Sequence, residues 1–213
     1  NDIVGNTRGL AQTVENRVRI FSEGVRSLES DAQGNARRSV GGEVDSPSRN
    51  LARYMDEIAE QNLPAFDVSM VYRRDRFGRG GDQVPMVEAG FPAVRVTEAA
   101  ENYTRQHQDI RTENGIAYGD TIDGVDFSYL ARVARLNAIT MASLASAPRP
   151  PMEIKVEGAV SADTKVSWTA SPGASSYVIW WRDTTSPTWQ HSRNARGSET
   201  TATVEGVVID DWF

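Results

Sequence analysis

Cysteine is absent from the sequence. That one omission removes disulfides, thiolate zinc sites and thiol nucleophiles together, although it does not settle the compartment. No run of about 18 apolar residues occurs, so nothing reads as a membrane span. No dense run of Lys or Arg occurs either. With 23 basic against 29 acidic residues and a formal charge of −6, the balance argues against a nucleic-acid partner. Histidine is scarce, at two residues, and neither sits in an H-E-x-x-H or H-x-D pattern. No signal peptide is visible. The chain opens on NDIVGNTRG, with no Met, no basic leader and no helix cap. This opening reads like the end of a core strand, and it sets the expectation of further sequence upstream.

What is present suffices for a packed core. The 213 residues are 39% apolar and 24% charged, which suits one large domain or an ordinary domain with a small one attached. Two compositional regimes meet at APRPP, residues 147–151, a stiff extended linker. Before it, RVRIFSE (17–23), FDVSMVYR (66–73) and FPAVRVTEA (91–99) alternate as strands do. Residues 25–48, rich in Gly, Ser, Asn and Asp, read as a long loop. SPSRNLARYMDEIAEQN (46–62) carries a helix start, with Leu51, Tyr54, Met55 and Ile58 on one face. DQVPMVEAG (82–90) reads as a short helix closed by Gly90, and ENYTRQHQDIRTENG (101–115) as a loop. DFSYLARVARLNAITMASLAS (126–146) is the strongest helix, with a stripe of Leu130, Val133, Leu136, Ile139 and Met141. Strands alternating with helices predict an α/β layered domain with a mostly parallel sheet over residues 1–148.

Residues 149–213 differ. MEIKVEG, TKVSWTA, SSYVIWWRDTT, PTWQHSRNA and TATVEGV are five short alternating segments separated by turns, which predicts an all-β sandwich. Val166 and Trp168 share one face, as do Tyr177, Ile179 and Trp181. Trp180, Trp181 and Trp189 admit two readings, a face for stacking sugars or core residues plus sheet cover.

His107, in ENYTRQHQD, is a solvated loop residue or a metal ligand. Zinc takes three or four ligands, and only His, Asp and Glu are available here. In open α/β sheets, sites form beyond the carboxyl ends of the strands. Asp2 lies where a strand ends, RDRFGRGGDQVP follows a second strand and ENYTRQHQD a third. If the strands are parallel these loops converge on one edge; otherwise they are ordinary connections. Asp109 and Glu113 flank His107 as orienting groups or as solvated carboxylates. The basic run RRDRFGR, ending at Arg79, meets a substrate carboxylate or is a solvated hairpin. His191 reads as a surface residue.

NDIVGN, GRGGDQVPMVEAGFPAVRVTEA, ENYTRQHQD and VDFSYLARVARLNAI, in this order, resemble the C-terminal half of a zinc aminopeptidase of metallopeptidase family 28. That family contains bacterial leucyl aminopeptidases and is related to glutaminyl cyclases. Trp168, the segment YVIWWR and the stretch VEGVVIDDWF, read as a turn into a sixth strand, resemble a fibronectin type III domain. The sixth strand would begin where the sequence stops, at Phe213. The first resemblance implies two zinc ions that activate one water and polarise the scissile carbonyl, with a glutamate as general base. It implies that Asp2 and His107 are zinc ligands, one for each ion. It places Gln106 where some members carry an aromatic residue that holds the tetrahedral oxygen, and Gln83 where many carry a non-ligating His. The remaining ligands and the general base belong to the N-terminal half, whose motifs are missing here, so no catalytic residue is expected within this sequence.

The leading expectation is therefore a secreted or periplasmic metallopeptidase acting on peptides with a free N-terminus. Asp2 and His107 are its metal ligands, and Arg79 and Gln106 its substrate contacts. The alternative is a non-catalytic binding or adhesion module that uses the β-sandwich. Cyclisation of N-terminal glutamine on the same scaffold is a third.

Overall fold

Alternating apolar residues build the sheet that carries the first unit. Strand β1 (Arg17–Ser22) buries Val18 and Ile20 completely and lies at the centre of the order β2-β1-β3. It pairs in parallel with β2 (Asp67–Val71), Val18 opposite Val68 and Ile20 opposite Met70. Its other neighbour, β3 (Val94–Glu98), is antiparallel, with Ile20 opposite Val96. The sheet is thus mixed, where the sequence predicted a mostly parallel one. A parallel neighbour needs a crossover that packs a helix on the sheet. The β1–β2 connection supplies this, and the β2–β3 connection holds only a six-residue helix that buries Gln83 and Val87. The computed structural model describes residues 1–207, which divide into compact units Asn1–Leu144 and a second starting at Ala145.

Between β1 and β2 the chain forms two helices. Residues 25–48 were expected to be loop, yet α1 (Asp31–Ser39) lies within them. Its sequence, DAQGNARRS, has no apolar stripe, so periodicity could not reveal it. Polar chemistry holds it instead. Ser30 and Gln33 form a reciprocal capping box, which satisfies N–H groups that a helix start leaves free. Arg37 in the last turn pairs with Glu29 at 2.7 Å and Glu43 at 3.3 Å. Helix α2 (Pro47–Asn62) follows expectation: Ser46 Oγ accepts the Arg49 N–H at 3.2 Å, and Pro47 occupies the first turn, where its missing N–H costs nothing.

Helix α3 is Gln83–Glu88, followed by Gly90 at φ 93°, a conformation that glycine adopts without strain. Helix α4 (Phe127–Ser146) buries Tyr129, Val133, Leu136 and Thr140. Val133 and Leu136 are buried as expected and Ile139 packs against the core, but Tyr129 and Thr140 are buried where the expected stripe had Leu130 and Met141, and Met141 is 64% exposed. Thr140 is tolerated inside because its hydroxyl donates to the Leu136 carbonyl at 2.8 Å. Ala52, Met55 and Ile58 of α2 and Tyr129, Val133 and Leu136 of α4 join Val18, Ile20, Val68 and Val96 in one core. Both helices therefore cover the same face of the sheet.

A further departure lies after β3. Residues 101–115 were expected to be loop throughout, but β4 (Arg111–Glu113) and β5 (Ile116–Tyr118) form an antiparallel hairpin. Asn114 and Gly115 make its turn at φ 51° and 79°. Asn-Gly between two short runs is a hairpin signal that the polar composition obscured.

The second unit has five strands among its described residues. β6 (Met152–Glu157), β7 (Thr164–Thr169) and β10 (Thr201–Val204) form an antiparallel sheet in the order β10-β7-β6. β8 (Ser176–Trp181) and β9 (His191–Arg196) form a separate pair. Trp168, Ala195 and Ala202 make a small core, with Val166, Tyr177 and Ile179 packed against it. Side chains of both sheets meet there. Trp181 instead stacks on His191, 5.5 Å between ring centroids. The three tryptophans make no common platform. Trp180 and Trp181 are consecutive on β8 and so point to opposite faces, and Trp189 lies under the Arg182 guanidinium. The expected turn into a sixth strand falls, from residue 208 onward, outside the described residues.

Candidate metal centre

Three segments assemble the site, and the first is the chain's beginning. Asp2 N–H donates to the Val96 carbonyl at 3.1 Å, and Glu98 N–H donates to the Ile3 carbonyl at 2.8 Å. Residues 2–3 therefore run along the edge of β3 that faces away from β1. The site lies beside this edge, not beyond the carboxyl ends of parallel strands. Thr97 Oγ1 also donates to the Ile3 carbonyl, at 3.1 Å. These bonds hold Ile3 at φ 61°, a genuine outlier for a β-branched residue.

Glu98 anchors the same segment from below. It is 1% exposed, and its Oε2 accepts the Asn6 backbone N–H at 2.8 Å. Asn6 Nδ2 donates in turn to the Ala100 carbonyl at 3.1 Å. Burial pushes the Glu98 carboxyl up to about 7, against the opposing pull of the Asn6 donors.

The second segment is the basic run after β2. Acidic and aromatic partners engage its arginines, although Arg73 and Arg76 stay exposed. Arg74 pairs with Glu23 at 2.9 Å and Glu88 at 3.3 Å. Arg73 lies over Phe77 and Arg76 over Tyr103, 4.4 and 4.8 Å from the ring centroids. Arg79 pairs with Glu101 at 2.9 Å and with Asp75 at 3.6 Å. Gln83, where the resembled family often has His, is buried, and its Nε2 donates to the Arg74 carbonyl at 2.9 Å. Gln83 holds this loop and takes no part in the cleft lining.

The third segment, residues 101–108, is a compact turn. Asn102 Oδ1 accepts from Thr104 N–H and Oγ1 at 3.0 and 2.7 Å. Gly119 and Asp120, just after the hairpin, donate to the carbonyls of Thr104 and Gln108. Glu101 is the charged hub of the turn: it pairs with Arg19, Arg79 and Arg76 and accepts from Gln106 Nε2 at 3.1 Å. Burial opposes its ionisation, but the donors Arg19, Arg79 and Gln106 outweigh burial and bring its carboxyl down to about 2. His107 sits at φ 54°. Among the described residues five non-glycine residues have positive φ, and two of them are His107 and the neighbour of Asp2. Such strain concentrates at functional sites.

The segments meet in an open cleft of about 260 Å³ lined by Asp2, Arg79, Gly80, Tyr103, Gln106, His107 and Gln108. All four residues expected to carry function, Asp2, Arg79, Gln106 and His107, are in that lining. His107 Nε2 is 3.8 Å from Asp2 Oδ1, and Asp2 Oδ2 pairs with Arg95 Nη2 at 2.9 Å. Zinc bonds imidazole nitrogen and carboxylate oxygen at about 2.0–2.2 Å. Donor atoms 3.8 Å apart therefore suit a common ion or neighbouring ions. The residues fit zinc in type and spacing, but they are only two donors. Among the described residues no group of three or more His, Asp or Glu side chains could hold a metal.

Glu113 does not orient His107 but pairs with Arg111 at 3.2 Å, and no hydrogen bond joins the Asp109 carboxylate to His107. Sequence reasoning passed over Asp75, Arg95, Glu98 and Glu101, which underlie the cleft. A signal for two of them existed. Arg95 and Glu98 put two charges on a short strand, VRVTE, next to the apolar Val94 and Val96, and a charge on a buried strand requires a partner.

The chain is similar over most of its length to proteins named "Probable zinc metalloprotease". Identity is 44% over 192 residues with one of Leptosphaeria maculans, covering 88% of this chain and 44% of the relative. It is 42% over 196 residues with one of Pyrenophora teres f. teres, covering 89% and 41%. It is 38% over 192 residues with one of Phaeosphaeria nodorum, covering 88% and 39%. The chain thus spans about two fifths of the length of the relatives it matches. No protein-family model and no solved structure matches it.

Proposed function

We propose that this chain belongs to a zinc-dependent aminopeptidase of metallopeptidase family 28. Residues 1–148 form the C-terminal half of its catalytic domain, and residues 149–213 a fibronectin type III-like domain. The observation that carries this reading is the approach of Asp2 and His107, from separate segments, to 3.8 Å across one cleft. The names of the relatives support a zinc protease. Aminopeptidase specificity, a pair of zinc ions and a secreted or periplasmic location are the further content of the proposal.

Bound zinc supplies Lewis acidity toward a peptide carbonyl and makes a water nucleophilic near neutral pH. Asp2 and His107 would hold it from this side of the cleft. The other ligands and the general-base glutamate would come from a part of the protein outside these 213 residues. Tyr103, fixed under Arg76, gives the substrate a rigid wall. Gln106 borders the same space, with its amide oriented by Glu101. Arg79 keeps that carboxylate in place. A substrate carboxylate would have to displace Glu101 and Asp75 to reach Arg79, so binding through a free N-terminus fits this wall better than binding through a C-terminus.

The test uses the full-length gene product. Aminoacyl reporter substrates should be cleaved, and their N-acetylated forms spared. Activity should disappear on chelation, return with zinc, and be lost in His107→Ala. Cleavage indifferent to chelator and to His107→Ala ends the zinc-peptidase reading. Equal cleavage of N-acetylated substrates ends the aminopeptidase part alone, and conversion of N-terminal glutamine to a ring in place of cleavage would select the cyclase.

One observation favours the second reading, a binding module. Val178 and Trp180, alternate residues on β8, are 45% and 49% exposed. Loss of glycan or protein capture in Trp180→Ala, in a protein that hydrolyses nothing, would select it.

A further inference from the structure

Beside the cleft, Arg95 and Asp75 are a buried ion pair, with side chains 2% and 1% exposed. A buried ion pair is a poor source of stability. Desolvation cancels much of the attraction, and apolar replacements of similar volume are often as stable or more so. The pair therefore calls for another explanation, and the other contacts of the guanidinium provide one. Arg95 Nη1 also donates to the Gly80 carbonyl at 3.1 Å, while Nη2 forms an ion pair with Asp2 Oδ2 at 2.9 Å. One side chain on β3 thus ties the cleft loop after β2 to the segment that carries Asp2. The passage is tight: a Cβ on Gly81 would stand 2.7 Å from Gln83 Oε1 and 3.4 Å from Arg95 Cδ.

We propose that Arg95, fixed by Asp75, is the positioning residue of the metal centre, holding Asp2 by one carboxylate oxygen so that Oδ1 faces His107 and the ion. This inference rests on the zinc reading of the site. Geometry supports it first: Oδ2 is taken by Arg95, and Oδ1 is the oxygen nearest the imidazole. Charge supports it second. A guanidinium beside a cation site repels the ion, but the buried Asp75 carboxylate neutralises it. Without Asp75 the same arginine would work against metal binding. Arginine suits the task because its planar fork addresses Asp75, Gly80 and Asp2 together, which a lysine ammonium on a flexible stem does less well.

The experiment measures zinc affinity of the full-length gene product by competition with a chromophoric chelator, beside thermal melting of the metal-free protein. Arg95→Lys keeps the buried charge, and Asp75→Asn/Arg95→Gln removes both charges together. The expected result is a zinc affinity weaker by about 10- to 100-fold in the doubly neutral variant, a smaller loss in Arg95→Lys, and a changed visible spectrum of the cobalt-substituted protein. In an Asp2→Ala background, Arg95→Lys should have no further effect on affinity, because the interaction it disturbs is already gone. A purely structural role would lower the melting temperature and leave the effects of Asp2 and Arg95 substitutions additive. Arg95→Lys serves alone where the doubly neutral protein does not fold. Wild-type zinc affinity in Arg95→Lys, or additivity with Asp2→Ala, overturns the proposal. Wild-type protein that takes up no zinc at all overturns the zinc reading and this inference with it.

Discussion

His107 Nε2 stands 3.8 Å from Asp2 Oδ1, although the two residues lie at opposite ends of the first unit's cleft-forming sequence. Their side chains are 76% and 33% exposed, so both are open to an ion from solvent. Two donors from separate segments do not close a zinc site, which takes three or four. The isolated 213-residue chain should therefore show no peptidase activity and bind zinc weakly, with Asp2→Asn and His107→Ala each weakening binding further. Dialysis followed by metal analysis checks this. Zinc retained near one equivalent would contradict it.

The backbone at His107 offers a separate prediction. At φ 54°, asparagine is tolerated and a β-branched residue is strained. His107→Asn should leave unfolding free energy within about 0.5 kcal/mol of wild type, and His107→Val should lower it by about 1–2 kcal/mol. The side chain is mostly exposed, so urea titration of the two variants reads the backbone with little packing mixed in. Equal stability of both would mean that the turn does not hold His107 in the left-handed region.

Glu98 should make stability fall as pH rises. Its carboxyl is raised from an ordinary 4.5 to about 7 in the folded protein. Between those values the folded state keeps a proton that the unfolded chain has released, so the stabilisation is present below pH 4.5 and lost as pH passes 7. The difference is worth about 3 kcal/mol. Glu98→Gln removes it, so unfolding free energy of the variant relative to wild type should increase by about that amount from pH 4 to pH 8. A pH-independent difference would show that Glu98 is ionised throughout.

Glu101 has the opposite sign. Its carboxyl falls from an ordinary 4.5 to about 2, so the folded state stays ionised where the unfolded chain takes up a proton. The stabilisation is full above pH 4.5 and disappears as pH falls through 2. Glu101→Gln should cost about 3 kcal/mol at neutral pH, with wild type and variant converging toward pH 2. It should also loosen Gln106, which NMR would show as exchange broadening of the Gln106 side-chain amide. Parallel stability curves down to pH 2 would remove Glu101 from the role of ion-pair hub.

The local elements were legible where residue chemistry repeats with the period of the structure. β1, β2 and β3 alternate, α2 carries its cap and its apolar face, and α4 is long enough for the centre of its stripe, Val133 and Leu136, to be read correctly although its ends were not. Elements without that repeat were lost. Helix α1 is held by a capping box and ion pairs of Arg37, and the β4–β5 hairpin by an Asn-Gly turn. The direction of β3 was equally hidden, because antiparallel and parallel strands alternate alike.

By itself, then, the sequence determined the residue types that face the cleft and the segments that bear them: a carboxylate in NDIVG and an imidazole in RQHQ. Only the tertiary structure decided that these segments meet. Residues 2–3 find hydrogen-bond partners on the free edge of β3, Asp75 pairs with Arg95, and Glu101 pairs with Arg19 and Arg79. Such contacts depend on where distant backbone groups and charges are left unpaired after folding, which no local period records.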